Sequence, residues 1–129
     1  ILFISFYADI GTNKQKNDIM VNACNFMNNN KYYFPSWNKQ SKLFNPVKYW
    51  RGPVWAIMNL LISIGLYNDN QLISQKILDN TKELIQNKGF YEYFNPENGD
   101  GCGGKNFTWT ASVYIITLNV QKYAKIFYN

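Results

Sequence analysis

The chain has 129 residues, of which 47% are hydrophobic and 18% aromatic, and this is sufficient for one hydrophobic core and one domain. Its net charge of +5 comes from scattered lysines, with Arg51 as the only arginine, so the composition argues against nucleic-acid binding. The absence of histidine excludes a Ser-His-Asp or Cys-His centre and the usual type of zinc site within this chain. Acid–base chemistry must therefore fall mainly to carboxylates, tyrosine or lysine.

The chain begins at Ile1 in the middle of an apolar pattern, and we expect it to be part of a longer protein. The first apolar run, residues 1–7, is too short for a membrane span and lacks the layout of a signal peptide. It is also the one stretch with some strand character. We expect no membrane association, and a cytoplasmic location is slightly favoured.

Hydrophobic periodicity predicts four helices, over Thr12–Asn29, Pro53–Leu66, Asn70–Asn87 and from Thr108 or Thr110 to about Tyr128. Thr12 and Asn68–Asp69 are the predicted caps of the first and third helices, and Gly89 ends the third. The second helix is apolar on nearly every side, which is typical of a fully buried helix, whereas the third has one apolar stripe. Residues 31–48 are predicted to form a long ordered loop. This alternation predicts an all-α fold, with two stacked helical hairpins as in α/α toroids.

The segment from Gly89 to Thr110 combines five of the chain's eight glycines with aromatic residues and acids. A surface loop does not need so many rings, and a core segment does not tolerate so many glycines and acids. Within this segment, which we call the rim, Glu92 stands between Tyr91 and Tyr93. The combination predicts a rigid, crowded backbone that directs one carboxylate into a pocket.

The eight acidic residues can be sorted by their local setting. Seven have an ordinary explanation as solvated residues, helix caps or turn residues: Asp9, Asp18, Asp69, Asp79, Glu83, Glu97 and Asp100. A calcium-like cage around Asp100 has the wrong spacing for an EF-hand, and we predict no metal site. Glu92 remains, because a carboxylate among aromatic rings loses hydration unless it has partners or a function. It either pairs with Arg51 or a nearby lysine, or acts as an acid or base.

The opposite wall of the predicted pocket is the segment Tyr49–Trp55, with the sequence YWRGPVW. Trp50 precedes the second helix and Trp55 lies in its first turn, so both indoles can face one cavity. Aromatic planes with a few polar groups suit sugar rings, whose C–H faces pack on indole while their hydroxyls need donors and acceptors. The alternative, equally compatible with the composition, is that these tryptophans plug the core at helix ends.

Three segments together resemble the C-terminal part of glycoside hydrolase family 63: YWRGPVW at Tyr49–Trp55, GFYEYFNP at Gly89–Pro96 and FTWTA at Phe107–Ala111. They are most similar to the mannosylglycerate/glucosylglycerate hydrolases and processing α-glucosidases of that family. The resemblance implies an (α/α)6 barrel and an inverting mechanism, in which an acid protonates the leaving oxygen and a base activates water. It also implies that Glu92 is the general base.

The resemblance further implies a substrate-binding set at the sugar subsite: Tyr49, Trp50, Arg51 and Trp55. Arg51 is expected to brace the loop or the base, and Trp109 to pack behind the loop. The substrate is expected to be an oligosaccharide or a small glycoside, and no cofactor is implied. The family's general acid, an aspartate further upstream, has no match in residues 1–29.

We therefore interpret residues 1–129 as the C-terminal fragment of a single catalytic domain that hydrolyses α-glucosidic or α-mannosidic bonds. Four helices are too few for the twelve of the barrel, so the fragment alone is expected to be inactive without the N-terminal part of the same domain. Two alternatives stay open. One is a sugar-binding or inactive remnant that lacks the acid, and the other is a trehalase-like inverting glycosidase.

Overall fold

The computed structural model describes residues 2–119, and this part of the chain is mostly helical, as predicted. After a short 3₁₀ helix, Leu2–Ser5, the elements in chain order are α1 Asn13–Asn28, α2 Ala56–Leu66, α3 Gln71–Lys88, β1 Tyr91–Phe94, β2 Gly101–Lys105 and α4 Thr108–Thr117. All four predicted helices are present, and the predicted continuation of the last one beyond Asn119 lies outside the described residues. The antiparallel hairpin of β1 and β2 was not expected from the sequence. None of the helices in the described range is long and apolar enough to cross a membrane.

Local capping chemistry determines several helix ends. α1 begins as predicted, because Thr12 accepts a hydrogen bond from the Gln15 N–H at 3.3 Å while the Gln15 side chain accepts one from the Thr12 N–H at 2.8 Å. α3 ends as predicted at Gly89, which has a φ of +92°. The N-cap of α3 is Asn70 rather than the predicted Asn68–Asp69.

The predicted starts of two other helices are wrong. α2 does not begin at Pro53, because the next residue, Val54, is extended and pairs with Phe94 of β1. α4 has Phe107 at its N-cap, so neither predicted threonine occupies that position. The first apolar run likewise forms a 3₁₀ helix instead of a strand.

α2 is the central helix of the core. One cluster of buried side chains joins it to α3, β1 and α4, and a second joins it to α1, α3 and the N-terminal segment. Between α2 and α3 lies a buried polar seam, in which Asn59 Nδ2 donates to Thr81 Oγ1 at 2.9 Å and the hydroxyl oxygens of Ser63 and Ser74 are 2.9 Å apart. Because a buried polar group without a partner is destabilising, the seam holds these helices in one register.

Gly65 allows the N-terminal segment to lie directly on the backbone of α2. A Cβ atom at this position would be 2.2 Å from the Tyr7 nitrogen and 2.3 Å from the Phe6 carbonyl carbon. Phe3 and Phe6 are buried at this contact. The close approach therefore requires a residue without a side chain.

We predict that Gly65→Ala displaces the N-terminal segment from α2. Alanine favours a helix by about 1 kcal/mol over glycine, but this clash is with backbone atoms, which cannot rotate away, and overpacking costs about 1–3 kcal/mol or more. The expected result is a lower urea midpoint and faster proteolytic cleavage within residues 2–10. A midpoint equal to or above that of the parent protein would contradict this account of the contact.

Candidate active site

The two motif segments meet at a pair of buried backbone hydrogen bonds. The Val54 N–H donates to the Phe94 carbonyl at 2.8 Å, and the Phe94 N–H donates to the Val54 carbonyl at 2.9 Å. Both residues are fully buried. Pro35 forms a second bridge to Val54, and the neighbouring Ser36 N–H donates to the Pro53 carbonyl at 2.9 Å. The long loop, the tryptophan segment and the rim are distant in sequence, and these bridges join them through Pro35, Val54 and Phe94.

The hairpin of β1 and β2 contains a bulge opposite Glu92. Tyr91 pairs with Lys105 and Tyr93 with Cys102, so Glu92 alone stands opposite two residues of β2. A bulge increases the local twist and redirects side chains, and bulges are frequent beside active sites. The orientation of Glu92 therefore depends on this irregularity in the hairpin.

The Glu92 side chain is half-buried and is held by the backbone of β2. Its Oε2 accepts a hydrogen bond from the Gly104 N–H at 3.2 Å. Within residues 2–119, the three ion pairs join Lys16 with Asp9, Lys39 with Glu97, and Lys88 with Asp100. Among these described residues, Glu92 therefore pairs neither with Arg51 nor with a lysine.

Arg51 braces the loop and not the candidate base. Its guanidinium donates from Nε and Nη2 to the Leu43 carbonyl, at 3.3 and 3.2 Å. Its own carbonyl accepts a hydrogen bond from the Asn45 N–H at 2.7 Å. Arg51 thus ties the end of the long loop to the segment that carries the tryptophans, and a direct contact of Arg51 with substrate stays a prediction.

Four rings form a continuous group, which we call the aromatic cluster: Tyr49, Trp50, Trp55 and Tyr93. Trp50 and Trp55 are stacked, with centroids 4.2 Å apart and an interplanar angle of 8°. Trp55 and Tyr93 are stacked at 5.0 Å and 29°. Tyr49 meets both of these last two rings edge-on, at 5.0 and 5.6 Å. Because Tyr93 follows Glu92 in β1, the cluster connects the tryptophan segment with the carboxylate.

The exposed fraction divides the cluster into buried and accessible rings. Trp55 is only 3% exposed, and its Nε1 donates to the Tyr49 carbonyl at 3.2 Å, so this ring is a buried support. Tyr49 and Trp50 are 50% and 39% exposed. Tyr49 also has a φ of +38°, which is uncommon for a non-glycine residue, and such outliers gather at functional sites. Tyr49 and Trp50 are therefore the predicted substrate-binding rings that solvent reaches.

Trp50 and Trp55 also line one small cavity, together with Phe3, Phe34 and other apolar residues. Its volume is about 20 Å³, which is room for about one water molecule. Glu92 does not line it. Since a sugar ring does not fit there, any sugar contact belongs to the open faces of the aromatic cluster.

Other residues of the rim form turns or face solvent. Asn98 Nδ2 donates to the Asp100 carboxylate at 2.9 Å, as part of the turn between β1 and β2. In the described range, no group of three or more His, Cys, Asp or Glu residues is placed to hold a metal ion. Trp109 is 52% exposed, and its packing behind the loop stays a prediction.

The sequence motif did not distinguish three residues that the structure places at the site: Tyr93, Gly103 and Gly104. The pKa of the Tyr93 hydroxyl is raised above its usual value of 10.0, first by burial and then by the nearby Cys102 and Glu92. A phenol that stays neutral can donate a hydrogen bond at this position. The two glycines matter through pairing across the hairpin, and the only sequence signal for them was the glycine density of the rim.

A mostly helical chain that sets a carboxylate beside exposed aromatic rings has the features of a glycoside hydrolase. Residues 1–110 match the family described as "Mannosylglycerate hydrolase MGH1-like glycoside hydrolase domain". The chain belongs to this family, which confirms the resemblance to family 63.

Named relatives agree with this assignment. The chain is 31% identical over 118 residues to mannosylglycerate hydrolase MGH1 of Selaginella moellendorffii, a match that covers 90% of this chain and 24% of that protein. It is 31% identical over 86 residues to glucosylglycerate hydrolase of Mycolicibacterium hassiacum, covering 63% of this chain and 18% of that protein. This chain therefore spans about a quarter, or less, of the length of the curated relatives it matches.

Solved structures show the same fold. The GH63 mannosylglycerate hydrolase from Thermus thermophilus, in complex with glucose, superimposes with a TM-score of 0.83 at 26% identity, over 91% of this chain and 30% of that one. The prediction of a segment of an (α/α)6 toroid is thereby confirmed, with the small hairpin as an addition.

We predict that Trp55→Ala destabilises the protein by about 3–5 kcal/mol, because it removes a buried ring and leaves a cavity under its neighbours. Trp50→Ala should cost clearly less, since that ring is 39% exposed. Urea unfolding followed by far-UV circular dichroism measures both variants. Equal losses would show that the division into buried support and accessible surface is wrong.

Proposed function

We propose that this chain is the C-terminal part of the catalytic domain of an inverting α-glycosidase, with Glu92 as the general base. The setting of this carboxylate is the observation that supports the proposal most. It is half-buried, accepts a hydrogen bond from the Gly104 N–H at 3.2 Å and has no ion-pair partner within residues 2–119. A general base needs an oxygen that is free to accept a proton from water, and this setting provides one.

In an inverting reaction, the base takes a proton from water as the water oxygen bonds to the anomeric carbon. At the same time the bond to the leaving group breaks, and a second carboxyl group gives its proton to the departing oxygen. Within residues 2–119, Asp9, Glu97 and Asp100 are each engaged in an ion pair with a lysine. We assign the acid to the part of the longer relatives that this chain does not cover.

The aromatic cluster supports a sugar next to this base. The exposed faces of Tyr49 and Trp50 offer the apolar surface on which the C–H face of a pyranose packs. Trp55 and Tyr93 hold those rings in place and connect them with β1, which carries Glu92. Arg51 keeps the loop in position through the Leu43 carbonyl.

The names of relatives and neighbours narrow the substrate class. They include mannosylglycerate hydrolase and glucosylglycerate hydrolase, and one neighbouring structure contains Tris and D-glycerate. We therefore propose an α-mannosyl or α-glucosyl bond, and the two glycosylglycerates are the first substrates to test. Trehalose belongs in the same panel, because its cleavage would favour the trehalase-like alternative.

We predict that Glu92→Gln lowers turnover by about 10²- to 10⁴-fold, since an amide of the same shape cannot accept the proton of water. The variant is made in a protein that contains this segment and the remainder of the domain, and product release is measured with both glycosylglycerates. Sugar affinity should persist, because the aromatic faces are unchanged.

The matched control is Glu97→Gln, in the same rim, where the exposed carboxylate pairs with Lys39 at 3.1 Å. It should keep the parent's turnover. Unchanged turnover in Glu92→Gln would end the assignment of the base. A parent that binds sugar without cleaving it would favour the inactive remnant, and a product that keeps the substrate's anomeric configuration would exclude inversion.

We further predict that residues 1–129 alone do not hydrolyse these substrates, because the chain contains the proposed base while the acid is assigned to a part of the domain that it does not cover. Adding the missing part of the domain, either in the same chain or as a separate polypeptide, should restore turnover. Hydrolysis by the purified fragment alone would show that its acid lies within this chain.

A further inference from the structure

We propose that the bulge formed by Gly103 and Gly104 positions the Glu92 carboxylate for its reaction. This inference rests on the proposed role of Glu92 as general base and adds the residues that act through it. Neither glycine contacts the substrate in this proposal. Both act on the carboxylate, and they are therefore positioning residues.

Gly103 lies directly against the Glu92 side chain. Its φ of +70° is a conformation that favours glycine. A Cβ atom at this position would be 2.5 Å from Glu92 Oε2, 2.9 Å from Glu92 Cβ and 2.8 Å from Tyr93 Cε1. Any side chain at residue 103 must therefore displace the carboxylate, the Tyr93 ring or the backbone.

Gly104 supplies the hydrogen bond that orients the carboxylate. In the paired strands, Glu92 stands opposite both glycines, and an extra residue in a bulge is left out of the regular ladder. The Gly104 N–H is thus available to a side chain, and it donates to Glu92 Oε2 at 3.2 Å. With Oε2 held in this way, Oε1 is the oxygen left to accept the proton of water.

We expect a small displacement of the Glu92 carboxylate to lower the turnover rate. A shift of about 1 Å in a catalytic geometry can lower a rate about 100-fold. A merely structural role for the bulge would instead lower stability and substrate affinity together with turnover. The two roles are therefore distinguished by kcat measured against KM, with stability measured in parallel.

The experiment compares Gly103→Ala and Gly103→Asn with Gly89→Ala, in a protein that contains the whole domain. Gly89 is a control for the positive backbone angle without the clash, because its φ is +92° while a Cβ there would meet no atom within 4 Å. Asparagine tolerates a positive φ better than alanine, so Gly103→Asn keeps the clash with less strain. We expect kcat to fall about 100-fold in both Gly103 variants with little change in KM. Gly89→Ala should keep the parent's kcat.

A second comparison links the effect to Glu92. In a Glu92→Gln background, Gly103→Ala should lower kcat no further, because the group that it displaces no longer acts as a base. Parental kcat in both Gly103 variants would overturn the positioning role. The positioning role would also be overturned if the Gly103 variants lost sugar affinity together with the circular dichroism signal of the folded protein. Parental activity in Glu92→Gln would instead overturn the base assignment itself, so the two failures are distinguishable.

Discussion

The reciprocal hydrogen bonds between Val54 and Phe94 are the contact on which the site depends. Both residues are fully buried, so separating them would leave four backbone groups without partners and without water to replace them. In an antiparallel pair, Trp55 and Tyr93 are then directly opposite neighbours, and their stacking at 5.0 Å follows from the backbone pairing. The backbone pairing thus aligns the tryptophan segment with β1, the strand that carries Glu92.

The same pairing accounts for the shape of the loop before α2. Because Val54 is extended and pairs with Phe94, α2 starts only after Trp55. The chain ahead of it forms consecutive turns, in which the Lys48 N–H donates to the Asn45 carbonyl and the Arg51 N–H to the Lys48 carbonyl. The positive φ of Tyr49, at +38°, and the hydrogen bonds from Arg51 to the Leu43 carbonyl belong to these turns. The pairing of Val54 with Phe94 and the hydrogen bonds of Arg51 therefore stabilise the strained backbone of Tyr49. They also keep the exposed Tyr49 ring next to Trp50.

The features that the sequence predicted well are those decided by neighbouring residues. The capping box of Thr12 and the stop at Gly89 depend on residues within one turn, and both are found in the structure. The hairpin and the late start of α2 depend on partners far away in the chain, and β2 gave no strand signal because it consists largely of glycine. Glu92 was singled out by its aromatic neighbours, whereas Gly103, which lies against it, becomes significant only when the bulge is known.

A carboxylate held by the backbone is better suited to act as a base than one held by a cation. An adjacent lysine or arginine favours the charged form and so weakens the attraction of the carboxylate for a proton. Within residues 2–119, Glu97 and Asp100 have such partners and Glu92 does not. The Gly104 N–H orients Glu92 without adding a full positive charge.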